Sequence, residues 1–198
     1  AVHAVSSALE QFRDDYMHVD LTGVTLFNAG SDREVPRYAP MFKALGKRVY
    51  GMRDKLNASD AGDATENIKS FDVFWESPEK GIEKILVKQV PTHVLRSFLD
   101  AVVERDDYPP NYRYVSEQVA DDELATLVEN VLKVRKGDGY GFGYAGMLIE
   151  QCQTEADLPV FIRDALLTIN EQLQDEPELA LDGAATQAGA AEYEKKLL

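Results

Sequence analysis

The chain has 198 residues, with 21 Lys+Arg against 35 Asp+Glu and a net charge of -14. At 44% apolar and 28% charged it has the composition of a folded globular protein, long enough for one sizeable domain. That balance excludes a generic basic nucleic-acid binder but not an enzyme that holds hard divalent cations on carboxylates, and the single Cys152 excludes an internal disulfide framework or a multi-cysteine zinc site.

The elements follow in chain order. Residues 1–18 carry Val2, Val5, Ala8, Leu9 and Phe12 at spacings of three and four, which predicts an amphipathic helix. VTLFNAG, after Gly23, is a short apolar run rich in β-formers and predicts a buried strand. Ser31 or Asp32 caps a helix over 33–46 that Gly46 closes. KRVYGMRD (47–54) predicts a second strand, and FDVFW (71–75) a third, after a polar loop and a short helix near 66–70. Short continuous apolar strands joined by helices predict parallel pairing, with the sheet covered on both faces. Beyond residue 79 the pattern is mostly helical: 79–90 up to Pro91, then 91–105, 117–135 and 155–174, with an irregular DDYPPNYRY loop between. We therefore expect an α/β layer followed by an α-rich half. The boundaries are a core over 1–92, a helical extension over 93–175, and an Ala-rich acidic tail over 176–198.

No apolar run approaches the roughly 20 residues of a membrane helix. The start of the chain has neither the cationic nor the apolar region of a signal peptide. The expected location is therefore the cytoplasm. A helical pattern is already running at residue 1, without an initiator Met, so the chain reads as part of something longer.

Several positions invite chemistry. Asp54 falls just past the carboxyl end of a predicted parallel strand, the edge where open α/β sheets bind ligands. A carboxylate there can hold Mg2+ with few protein ligands, leaving water and phosphate in the other positions; the simpler reading is an Asp opening a solvated turn. Glu76 ends the next strand, and Glu83 lies in the helix after it. Spacing does not choose between these two, and each also reads as a cap or surface carboxylate. Lys133, Arg135 and Lys136 end a predicted helix ahead of Gly137. Cations suit a helix C-terminus, and a lysine there can also face a phosphate. The Gly-rich run from 137 lacks the preceding strand of a dinucleotide site. No P-loop is present. His3, His18 and His93 lie far apart in sequence and form no ligand pair at helical spacing.

Charge is uneven. Arg33, Arg37, Lys43, Lys47, Arg48, Arg53 and Lys55 face only Glu34 and Asp54 over 33–55, whereas 171–198 holds seven acidic and two basic residues. The α/β half can therefore offer a local basic surface to a polyanion.

Taken together, VTLFNAGSDREVPRYAPMFKALGKRVYGMRDK, FDVFWESPEKGIEKIL and VLKVRKGDGYGFGYAGMLIEQC resemble, in order and over about residues 5–173, the Toprim domain of the overcoming-lysogenization-defect (OLD) family of ATP-dependent endonucleases. The resemblance implies a Rossmann-type parallel sheet and a two-metal DNA endonuclease using Mg2+ or Mn2+. Asp54 would match the central metal-binding Asp and also act in catalysis, Glu83 (with Glu76 as its rival) a second metal ligand, and Lys136 the transition-state lysine. Arg53, Lys55 and Arg135 would then lie beside the DNA. It also implies an ATPase domain upstream, where ATP would bind, and a homodimer formed through the whole protein. Two departures stand out. The second acid of the family's DxD-type motif falls on Leu56, with Asn57 or Asp60 nearby. The family's catalytic Glu ends a first strand that would precede residue 1, and Glu10, inside the first helix, is a weak substitute. The alternative function is a catalytically incomplete Toprim-like scaffold that binds a partner.

Overall fold

The computed structural model describes residues 1–56, 65–116, 118–135 and 143–174. Helix α1 (Val2–Phe12) buries Ala4, Val5, Ala8 and Leu9, the stripe its apolar spacing prescribes. It stops at Arg13, whose backbone is extended and whose N–H still reaches the Leu9 carbonyl at 2.9 Å. The chain then folds back onto α1. Ser6, fully buried, meets the Tyr16 hydroxyl at 2.9 Å and accepts the Val19 N–H at 3.1 Å, so its hydroxyl is satisfied where it is buried. A 3-10 turn over Val19–Leu21 follows.

The strand expected over VTLFNAG (24–30) does not form. These residues carry no ladder, and Leu26 and Phe27 are 43% and 54% exposed. Phe27 instead lays its ring edge-on to Tyr38 and Phe42 of α2 (Val35–Ala44), at 4.7 and 5.3 Å between centroids. Apolar β-formers favour a pleated, half-buried surface but do not supply a partner strand. Here α2 provides the apolar contact, and no ladder forms.

The other two strands are present, slightly shorter than expected. β1 (Tyr50–Arg53) and β2 (Val73–Glu76) pair in parallel, with Tyr50 opposite Val73 and Arg53 opposite Glu76. Asp72 extends the pairing: its N–H donates to the Val49 carbonyl at 2.8 Å, and its carboxylate accepts the Val49 N–H at 2.6 Å and the Lys43 ammonium. The short α3 (Thr65–Ile68) packs with β1's neighbour α2. Gly51 allows the aromatic packing on β1. A Cβ there would lie 2.5 Å from Phe74 and 2.6 Å from Phe71.

The remaining helices are α4 (Ile82–Gln89), α5 (Thr92–Val102), α6 (Asp121–Val134), α7 (Gly143–Ile149) and α8 (Val160–Gln174). Pro91 separates α4 from α5, as the sequence suggests. Between α7 and α8 lies a 3-10 turn, Glu155–Asp157, closed by a reciprocal Thr154–Asp157 capping box.

The chain is thus a mixed helix-and-strand fold, but its main apolar core does not lie on the sheet. One apolar cluster joins Val5 and Leu9 of α1, Leu86 of α4, Phe98 and Leu99 of α5, Leu124 and Val128 of α6, Leu148 of α7 and Ile162 of α8. No residue of β1 or β2 belongs to it. α1 and α4 share this cluster with α5–α8, so the helices beyond residue 92 pack on helices that precede it. Two strands of four residues have too little face to shelter a large core, whereas six amphipathic helices bury theirs against one another. The sheet is tied to this bundle at one end: the Tyr50 hydroxyl donates to Gln172 Oε1 and Arg48 Nη1 to the Gln172 carbonyl, both at 2.9 Å. Among the described residues no helix is long and apolar enough to cross a membrane. The expected tail lies outside the described residues.

Candidate functional site

The carboxyl ends of β1 and β2 lie side by side because the strands are parallel and in register, and three polar segments meet there. The Ser77 N–H donates to the Arg53 carbonyl at 2.9 Å, and the Lys55 N–H to the Glu79 carbonyl at 3.2 Å, so the chain leaving each strand is pinned to the other. From the turn before α2, Asp32 Oδ1 accepts the Asp54 N–H at 3.4 Å. The Ser77 hydroxyl accepts the Glu79 N–H at 2.9 Å, and the Glu79 carboxylate takes the Lys88 ammonium at 2.6 Å.

Asp54 and Glu76 are thereby brought to one edge, each directly at or past the end of its strand. Glu76 is not free at that edge. Its Oε2 accepts Arg53 Nε at 2.8 Å and Nη2 at 2.6 Å, while the guanidinium also rests 5.1 Å above the Phe74 ring. The Arg53 side chain is only 7% exposed, and its Nη1 is buried without a hydrogen-bond partner among the described residues. An arginine so enclosed is turned toward Glu76 and the sheet, and does not reach outward to a backbone phosphate. Lys55 is exposed, consistent in position with the expected basic rim.

Glu83 is elsewhere. It sits in the first turn of α4, 5% exposed, on a helix packed against α6. Gly81, with φ +95°, precedes the helix, and a Cβ on it would stand 3.0 Å from Glu83 Oε2. A residue with a side chain would be strained there and would press on the carboxylate. The Glu83 charge acts on Lys133 of α6, whose pKa is raised, first by its hydrogen bond to Glu129 and in smaller part by Glu83. Arg135 caps the end of α6, its N–H donating to the Val131 carbonyl at 3.1 Å. Lys136, Asn57, Asp60 and the Gly-rich run from 137 to 142 lie outside the described residues. Glu10 is exposed on α1, where its carboxylate accepts the His18 N–H at 3.4 Å.

Sequence separation misleads at the histidines. His3 and His18 stack, ring centroids 6.2 Å apart, because the chain folds back after α1. With Asp20 they form the only group of three His, Cys, Asp or Glu side chains among the described residues whose donor atoms all lie within 4.8 Å of one another. Asp54, Glu76 and Glu83 form no such group. The signal available in sequence was weak: His3 and Ser7 lie one helical turn apart, and a short polar connection returns to His18.

No protein-family model matches the chain, and neither a curated protein nor a solved structure matches it.

Proposed function

We propose that the chain is a Toprim-like domain acting on phosphodiester bonds of DNA with Mg2+ or Mn2+, at the carboxyl edge of β1 and β2. The observation that carries this reading is the placement of Asp54 and Glu76 at the ends of adjacent parallel strands, with Asp32 beside Asp54. Its order along the chain matches the resemblance to the OLD family. Among the described residues few protein donors converge there, which suits Mg2+, an ion that keeps much of its shell in water and phosphate. When bound, such ions activate the attacking water and stabilise the leaving oxygen. Asp54 would hold the ion. Arg53 holds Glu76 in place, and exposed Lys55 adds positive charge beside the edge. Glu83 and Lys136 keep, by resemblance, the roles of ligand and transition-state lysine, with an ATPase domain and DNA as partners in the whole protein.

The test is nicking of supercoiled plasmid with Mg2+ or Mn2+, by this chain and by a form extended at its N-terminus, comparing Asp54→Ala and Lys136→Ala. Cleavage that falls at least 100-fold in both variants supports the reading, and cleavage indifferent to both overturns it.

A second reading is a catalytically incomplete scaffold that binds a partner. The Arg53–Glu76 ion pair favours it, because it commits one of the two edge carboxylates to a structural contact. Calorimetric titration with Mn2+ separates the two: saturable binding lost in Asp54→Ala counts against the scaffold.

A further inference from the structure

A second polar centre stands apart from the sheet edge, and the nuclease reading makes no use of it. His3 lies at the start of α1, and His18 caps the 3-10 turn that contains Asp20. Asp20 Oδ2 is 3.5 Å from His3 Nδ1 and 3.6 Å from His18 Nδ1.

We infer that His3, His18 and Asp20 form a binding site for a divalent transition-metal ion of the zinc class, with two imidazole nitrogens and one carboxylate oxygen as ligands and water completing the shell. The spacing carries this first. Ligand atoms at about 2.0–2.1 Å around tetrahedral zinc stand about 3.4 Å from one another. The two separations exceed that by only about 0.1–0.2 Å, a gap that small side-chain rotations close.

The orientation of His18 carries it further. Its Nδ1 accepts the Asp20 N–H at 3.2 Å, so this nitrogen holds a lone pair on the side facing Asp20. The other ring nitrogen, Nε2, then bears the proton and donates to the Ser7 hydroxyl at 3.2 Å; that hydroxyl donates onward to the His3 carbonyl at 3.0 Å. Metal-binding histidines are held in this manner, with the second nitrogen donating to a fixed acceptor that sets tautomer and ring plane. A bound cation replaces the Asp20 N–H as the partner of Nδ1.

The donor set also selects the ion. Imidazole nitrogens favour zinc and its neighbours over Mg2+ and Ca2+, which take oxygen. The two centres of this protein therefore differ in the ions they prefer, and each can be probed without the other. The ion would tie the first turn of α1 to the 18–20 segment.

The experiment is calorimetric titration of the metal-stripped chain with Zn2+, repeated with Co2+ while its visible absorption is followed. His3→Gln, Asp20→Asn and Asp54→Ala are compared, with circular dichroism to verify folding. His3 and Asp20 have side chains 42% and 58% exposed, so neither substitution opens the core. One-to-one Zn2+ binding is expected, weakened by at least about 10- to 100-fold in both His3→Gln and Asp20→Asn, and unchanged in Asp54→Ala. Co2+ should show the intense absorption of a low-coordinate nitrogen–oxygen site. Absence of saturable Zn2+ binding overturns the inference and leaves an ordinary His–Asp ion-pair cluster. Binding that survives either ligand substitution, or that is lost with Asp54, overturns it equally.

Discussion

Replacing Gly51 with alanine tests whether β1 sits where the aromatic packing requires. A Cβ at Gly51 would lie 2.5 Å from Phe74 Cδ2, and 2.6 and 2.7 Å from two atoms of the Phe71 ring. Carbon atoms rest at about 3.5 Å or more, so both rings, or the strand itself, must shift by roughly 1 Å. The rings are 5.0 Å apart and inclined at 52°, so moving one presses on the other. Overpacking of this size costs about 1–3 kcal/mol. Against it stands the reduced freedom of the unfolded chain, about 0.4–1 kcal/mol in favour of alanine. The clash wins, and Gly51→Ala is expected to destabilise the protein by about 1–2 kcal/mol, or roughly 2–4 °C in Tm per kcal/mol for a chain of this size. Urea unfolding measures the total. Hydrogen exchange of the β1 and β2 amides locates it, because the sheet lies outside the helical cluster and should loosen first. Adding Phe74→Leu to Gly51→Ala should return part of the loss. A Gly51→Ala protein with unchanged midpoint and unchanged strand protection would refute the packing described for β1.

Asp72 gives a prediction in pH. Burial, the largest influence, pushes its carboxyl up, but the Lys43 hydrogen bond, the Val49 N–H and the charges of Lys43 and Arg48 together outweigh it and hold the pKa below its ordinary value. A depressed carboxyl stabilises the fold above its unfolded pKa, about 3.9, and that contribution disappears as pH falls through the lower folded value. Asp72→Asn should therefore be less stable than wild type at pH 7 and converge on it toward pH 2; urea midpoints that stay parallel across that range contradict this. Cys152 is 8% exposed, and burial, aided by the Asp157 charge, pushes its thiol up to about 12. At pH 8 a disulfide reagent should label it only as fast as the protein opens, and at full speed in denaturant; native labelling at the rate of a free thiol would show that the 152–158 region is open.

How much was legible in the sequence depends on the range of the forces involved. The spans of α5, α6 and α8, the break at Pro91 and the parallel frame of β1 and β2 follow from local apolar spacing and from backbone restrictions at single residues. So does the arrival of Asp54 and Glu76 at one sheet edge, which parallel register alone enforces. The tertiary structure decided the rest. VTLFNAG has the composition of a strand, yet whether it pairs depends on a neighbour that sequence pattern does not name; Phe27 packs on α2 instead, and Val24 on the helical cluster. Arg53 read as a basic residue beside a polyanion, but burial against Phe74 turned it to Glu76. Glu83 read as a candidate metal ligand or a surface carboxylate, and on α4, packed against α6, it is buried. His3 and His18, fifteen positions apart in number, became neighbours because the chain doubled back after α1 to bury Tyr16 and Val19. The sequence by itself determined most of the helices, two of the three expected strands, and where carboxylates would stand along them. Which side chains met was decided by burial of the helical faces, a force that acts between elements far apart in the chain and leaves little mark on the residues next to any one of them.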